Sequence, residues 1–128
     1  MWTYKQTGQL LTPQGVPSAH VWYSGFGPHA NIPADEGLAG LGPIPRGNYT
    51  MTELVTNTHM GPVAIHLEPD ALTRARIITL KRGPDSFFMH DDTAIRNHTA
   101  SEGCIVSESG TIPVMSVWDS TDHDLTVE

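Results

Sequence analysis

Ten of the 25 positions from Ser24 to Asn48 are glycine or proline: Gly25, Gly27, Pro28, Pro33, Gly37, Gly40, Gly42, Pro43, Pro45 and Gly47. Proline has no amide donor and fixes φ, and glycine weakens a helix interior by ~1 kcal/mol. No long helix or unbroken strand can therefore run through this segment. A stretch of that length inside 128 residues either serves function or hides structure of its own. "ADEGLAGL" (34–41) is where one helical turn would fit.

The remainder reads as short strands bounded by turns. "WTYKQTGQLL" alternates aromatic and polar positions on either side of Thr7-Gly8 and predicts a hairpin. "HVWYSG", "NYTMTELV" (48–55), "PVAIHLEP" (62–69), "RIITLKRG" (76–83), "SFFMH" (86–90) and "DLTVE" are further extended segments. "ALTRA" accommodates one helical turn, and "TIPVMSVWDS" (111–120) a short helix with Pro113 in its first turn, where a missing N–H is tolerated. No repeat or linker interrupts the chain, so one mainly-β domain over residues 1–128 is expected.

Charge and cysteine count narrow the function. Fourteen acidic residues against seven basic give −7, which argues against sequence-independent binding to nucleic acid. Arg74, Arg76, Lys81 and Arg82 nevertheless fall within nine positions, either as a solvated strand edge or as a patch for a substrate carboxylate. Cys104 stands alone, so neither an internal disulfide nor a Cys-x-x-Cys zinc knuckle is possible. His-x-x-x-His and His-Glu-x-x-His spacings are absent, and no metal is expected. The first residues lack the basic and apolar regions of a secretory signal, and no apolar run reaches membrane-spanning length. Synthesis in the cytoplasm, with delivery elsewhere by another route, is the corresponding expectation.

The chemistry concentrates in "FFMHDDTAIRNHTASEGCIV" (87–106). A thiol on a turn, with Gly103 before it and Ile105-Val106 anchoring it behind, suits a nucleophile approached closely by substrate. Adjacent backbone N–H groups can hold a developing oxyanion there. Little of a free thiol ionises near neutrality, so a base is required. His90, at the end of the apolar run Phe87-Phe88-Met89, is the candidate base, with His98 next in line. Asp91 and Asp92 follow it, and either could orient the imidazole or simply form a solvated turn. His66 reads as a strand histidine, whereas His20, His29, His59 and His123 flank turns and look superficial. A lone cysteine is also compatible with an inert buried thiol, and a chain with seven histidines with a metal-dependent hydrolase.

His90 followed by Ser101-Glu102-Gly103-Cys104-Ile105-Val106 resembles the active-site signature of L,D-transpeptidases. "GPIPRGNYTM" (42–51) is similar to the segment leading into a strand upstream of their histidine. The ordered set "WTYKQTGQLL", "YSGFG", "GPIPRGNYT", "FFMH" and "SEGCIV" most resembles the short L,D-transpeptidase-like toxins delivered by type VI secretion, over about residues 2–127. The resemblance implies a small L,D-transpeptidase-type β-sandwich with one or two short helices, the 24–48 loop lying over or beside the cleft. It implies Cys104 as nucleophile, His90 as base, and Ser101 and Gly103 as the turn shaping the oxyanion site. Substrate contacts are expected from His98, Arg96, Arg82 and Tyr23, and peptidoglycan stem peptides are the implied substrate. No cofactor is called for. A cognate immunity protein and a secretion apparatus are the implied partners, and a phage-associated lysis enzyme or a non-catalytic binding module are the alternatives. Three features depart from the larger enzymes: Asp91 stands where they carry glycine or serine, Glu102 where they carry histidine, and the His90-to-Cys104 interval is shorter.

Overall fold

The computed structural model describes residues 1–92 and 101–128. Eight strands hydrogen-bond into one sheet: β1 (Trp2–Lys5), β2 (Gln9–Leu11), β3 (Trp22–Ser24), β4 (Gly47–Thr58), β5 (Gly61–Pro69), β6 (Phe88–Asp91), β7 (Ile105–Ser107) and β8 (Asp124–Val127). Their order across the sheet is β2-β1-β8-β4-β5-β6-β7-β3. The edge strands β2 and β3 touch, and the Ser18 N–H donates to Leu10 O at 2.7 Å, so the sheet bends almost to closure. Two helices, α1 (Ala71–Thr79) and α2 (Thr111–Asp119), complete the mainly-β fold.

Alternation along the strands builds the core. Tyr4, Leu10, Trp22, Met51, Ile65, Leu67, Met89 and Ile105 point inward, and Val114 and Val117 of α2 close the cluster. Helix α2 lies against β5, β6 and β7, and α1 against β4 and β5.

The expected extended segment 76–83 is instead the second half of α1 and its cap. Helix signals at both ends override its β-branched residues. At the start, the Asp70 carboxylate accepts the Thr73 N–H at 2.9 Å. At the end, the Lys81 N–H bonds Ile78 O (2.9 Å) and the Arg82 N–H bonds Ile77 O (3.1 Å), the paired bonds of a Schellman cap. Ile77 fills the core while Ile78 stays exposed.

The glycine- and proline-rich stretch is folded onto the body. It contains short 3-10 turns at Gly27–His29 and Pro33–Asp35, the second overlapping the predicted turn. Two buried side chains hold it. Glu36 takes Arg46 Nε at 3.0 Å and both terminal nitrogens of Arg76, Nη1 at 2.9 Å and Nη2 at 2.7 Å. Burial works to raise the Glu36 pKa, but Arg76, the Arg46 N–H and Gln6 outweigh it and bring it down to about 2. Arg82 donates to four carbonyls: Glu36 (2.7 Å), Pro43 (2.6 Å), Gly42 (3.2 Å) and Glu102 (3.0 Å). Three of those belong to the loop and the fourth precedes the cysteine turn. One guanidinium thus ties loop, helix end and turn together.

Candidate active site

Strand β6 carries Met89 into the core and turns Phe88 and His90 to the opposite face. Its parallel neighbour β7 sets Met89 beside Ile105 and His90 beside Val106. Extending that register one step places Cys104 beside Phe88, on the same face as His90. Both residues line one cavity of about 700 Å³, whose walls also include Ala39-Gly40 from the loop, Lys81, and His59 from the β4–β5 turn. The loop therefore stands beside the thiol–imidazole cleft.

His90 is almost fully buried, and its Nδ1 lies 2.7 Å from the main-chain oxygen of Asp91. A carbonyl only accepts, so Nδ1 carries the proton and Nε2 keeps its lone pair. Burial holds the imidazole below its ordinary pKa against the pull of the Asp91 carbonyl and the Asp91 and Asp92 carboxylates, so the ring is neutral at pH 7. The orienting group left open between two carboxylates is thus the Asp91 backbone. The Asp92 carboxylate instead accepts the Tyr23 hydroxyl at 2.6 Å.

Cys104 is half-buried. Its thiol is turned toward Ser86 O at 3.7 Å. Burial pushes the thiol up to about 11, against the Phe88 N–H and the more distant Arg82 charge, which favour the thiolate. At rest the thiol is therefore protonated, and it would have to lose that proton to act as a nucleophile.

Ser101 builds the turn around the thiol. Its fully buried hydroxyl donates to Cys104 O at 2.6 Å and accepts the N–H groups of Gly25 (3.0 Å) and Gly103 (3.1 Å). Ser24 Oγ adds a bond to Gly103 O at 3.2 Å. Gly103 has φ +129°, and a Cβ there would lie 2.3 Å from Arg82 Nη2 and 2.9 Å from Phe87 Cε1. Only glycine fits this position. Its N–H is committed to Ser101 and is not free to donate to a bound group.

The structure thus brings Cys104, His90, Gly103 and Ser101 together and gives two predicted contact residues other surroundings. Arg82 reaches the cavity wall, but its guanidinium is held by four carbonyls and lies 5.2 Å over the Phe87 ring. Tyr23 is fully buried behind Asp92. Arg96 and His98 lie outside the described residues. His66 bonds Thr52 Oγ1 at 3.0 Å and packs edge-on against Phe88. Sequence reasoning missed His59 as a cavity residue; it lies in the turn between β4 and β5, and β5 is the strand paired with β6. No local signal in "NTHMG" (57–61) announces that.

A family model described as the Tlde1 domain matches residues 19–115. No curated protein matches the chain. Among solved structures, the crystal structure of the L,D-transpeptidase from Xylanimonas cellulosilytica DSM 15894 is similar over 99% of this chain, with a TM-score of 0.56 and 14% identity. The match spans 59% of the length of that chain. At that identity the likeness speaks for the fold, which is the L,D-transpeptidase type.

Proposed function

The chain belongs to the Tlde1-domain family, and from that membership together with the cleft we propose that it is a cysteine acyltransferase acting on peptidoglycan stem peptides. One observation carries the reading. A neutral histidine, its tautomer fixed by a 2.7 Å contact to a backbone carbonyl, opens into the same cavity as a cysteine presented on a glycine turn.

The reaction follows from those groups. A stem bearing a terminal D-alanine enters beside the 24–48 loop. His90 Nε2 takes the Sγ proton, and the thiolate attacks the carbonyl carbon of the diamino acid at position three. The tetrahedral intermediate collapses, the C–N bond breaks, and the D-alanine nitrogen leaves with the proton from His90. A thioester on Cys104 remains. Water converts it to a shortened stem (L,D-carboxypeptidation), and an amine converts it to a new amide (transpeptidation or D-amino-acid exchange). No step needs a cofactor. The raised thiol pKa fits a proton transfer to His90 that takes place once substrate is bound and has displaced the Ser86 contact. That contact and the raised pKa are the features favouring an inert thiol, and turnover decides between the readings.

As a contact-delivered antibacterial protein it acts in a target cell's periplasm, with a cognate immunity protein in the producer. Toxicity on export through a fused secretory signal, relieved by Cys104→Ala, tests that role. Incubation with tetrapeptide muropeptides tests the chemistry. Tripeptides are expected, with D-methionine-bearing stems when that amino acid is added. Cleavage of the glycan, or of the amide joining stem to muramic acid, would overturn the assignment.

A further inference from the structure

The four-cation cluster at the end of α1 resolves into three engaged side chains and one that is not. Arg74 pairs with Glu68 and Asp85, Arg76 with Glu36, and Arg82 with carbonyls. Lys81 is exposed, makes no ion pair among the described residues, and lines the cavity that holds Cys104 and His90. Glu102 lines the same cavity, two residues before the nucleophile, also exposed and also without an ion pair there. The two are held apart by the residue between them. Arg82 follows Lys81 directly, and its Nη2 grips Glu102 O at 3.0 Å. The cavity wall therefore carries, among the described residues, an exposed cation and an exposed anion with no ion pair, next to the buried Arg82 guanidinium that carbonyls hold.

The backbone at Lys81 makes glycine a suitable replacement there. It sits at φ +60°, at the position after the helix cap where a Schellman motif takes glycine and occasionally asparagine. A β-carbon there costs roughly 1–2 kcal/mol.

We propose that Lys81 and Glu102 form a clamp for an amino-acid zwitterion, Lys81 holding the α-carboxylate and Glu102 the α-ammonium group. The assignment rests on the stem-peptide reading. Two groups in that chemistry have this form: the free D-amino acid that accepts the acyl group, and the far end of the diamino acid side chain in the donor stem. Bound as acceptor, the amino acid has its nitrogen beside Glu102 and hence close to the thioester on Cys104.

The test uses binding, so that it stands apart from turnover. Cys104→Ala protein is titrated by NMR with D-methionine and with D-methioninamide, and with tetrapeptide muropeptide carrying a free or an amidated diamino-acid carboxyl. At least tenfold weaker binding of the amide is expected in one pair, and which pair responds identifies the source. Lys81→Gly should erase that preference while the melting temperature holds or rises, because glycine suits the cap. Lys81→Arg should restore it, and Glu102→Gln should weaken the free zwitterion selectively. Equal binding of acid and amide in both pairs, or an unchanged preference in Lys81→Gly, would overturn the clamp. A clamp that binds, combined with a wild-type protein that releases no D-alanine from tetrapeptide muropeptides, would instead overturn the reaction and leave the site standing.

Discussion

Replacing Arg82 with lysine separates support from substrate binding, because charge and approximate length are kept while the planar fork is lost. The guanidinium serves the carbonyls of Glu36, Gly42, Pro43 and Glu102 from two nitrogens aimed in fixed directions. An ammonium is a point donor and reaches about half of these. Each buried carbonyl left without a donor costs about 1–3 kcal/mol, so a loss of roughly 2–4 kcal/mol is expected after relaxation. For a chain of this size that lowers the melting temperature by roughly 8–16 °C. Thermal unfolding followed by circular dichroism reads the stability, and steady-state kinetics on muropeptides at a temperature where the variant is folded read the site. With loop and turn both loosened, kcat should fall. A variant with wild-type melting temperature and only a raised KM would refute this account and return Arg82 to the substrate.

Gly103→Ala meets a fixed nitrogen at 2.3 Å and places a β-carbon at φ +129°, so about 2–6 kcal/mol of destabilisation and loss of turnover are expected; a melting temperature within 2 °C of wild type would count against the tight turn. Alkylation of resting Cys104 by iodoacetamide should keep rising with pH toward about 11, and a midpoint at the ordinary thiol value of 9.0 would show that burial does not control it. Stability should fall on both sides of neutrality. Because the folded His90 pKa lies below 6.5, the unfolded chain binds the proton first as pH drops through that value, and His90→Gln should flatten this limb of a urea-denaturation series. On the alkaline side the folded thiol pKa is raised, so the thiol's share of stability is lost between pH 9.0 and about 11, and Cys104→Ala should remove that share while the loss from the buried Tyr4 and Tyr49 hydroxyls, which sets in near pH 10.0, remains.

The strand hairpins were legible because their signals are local. Thr7-Gly8 turns β1 into β2, and apolar alternation marks β5 and β6. Helix α1 was not, because Ile77 and Ile78 favour a strand and the deciding bonds are the Asp70 cap and the Schellman pair at Lys81 and Arg82. In the site, Cys104, His90, Ser101 and Gly103 could be found from residue type and order. The orienting group could not, since it is a main-chain carbonyl and carries no residue identity. The carbonyl bonds of Arg82 were not legible for a related reason: a cation near a cleft looks the same in sequence whether or not carbonyls behind it hold its guanidinium. His59 lines the cavity from the β4–β5 turn through the pairing of β5 with β6, a long-range arrangement that no short window of sequence encodes.

The central claim is that Cys104 becomes acylated by the stem with His90 as its base. Rapid-quench mass spectrometry of the protein mixed with a tetrapeptide muropeptide tests this most directly. The prediction is a Cys104-containing fragment heavier by the muropeptide less D-alanine, absent in Cys104→Ala and accumulating much more slowly in His90→Ala. Tripeptide formation with no adduct at Cys104, or an adduct forming at the wild-type rate in His90→Ala, would contradict it.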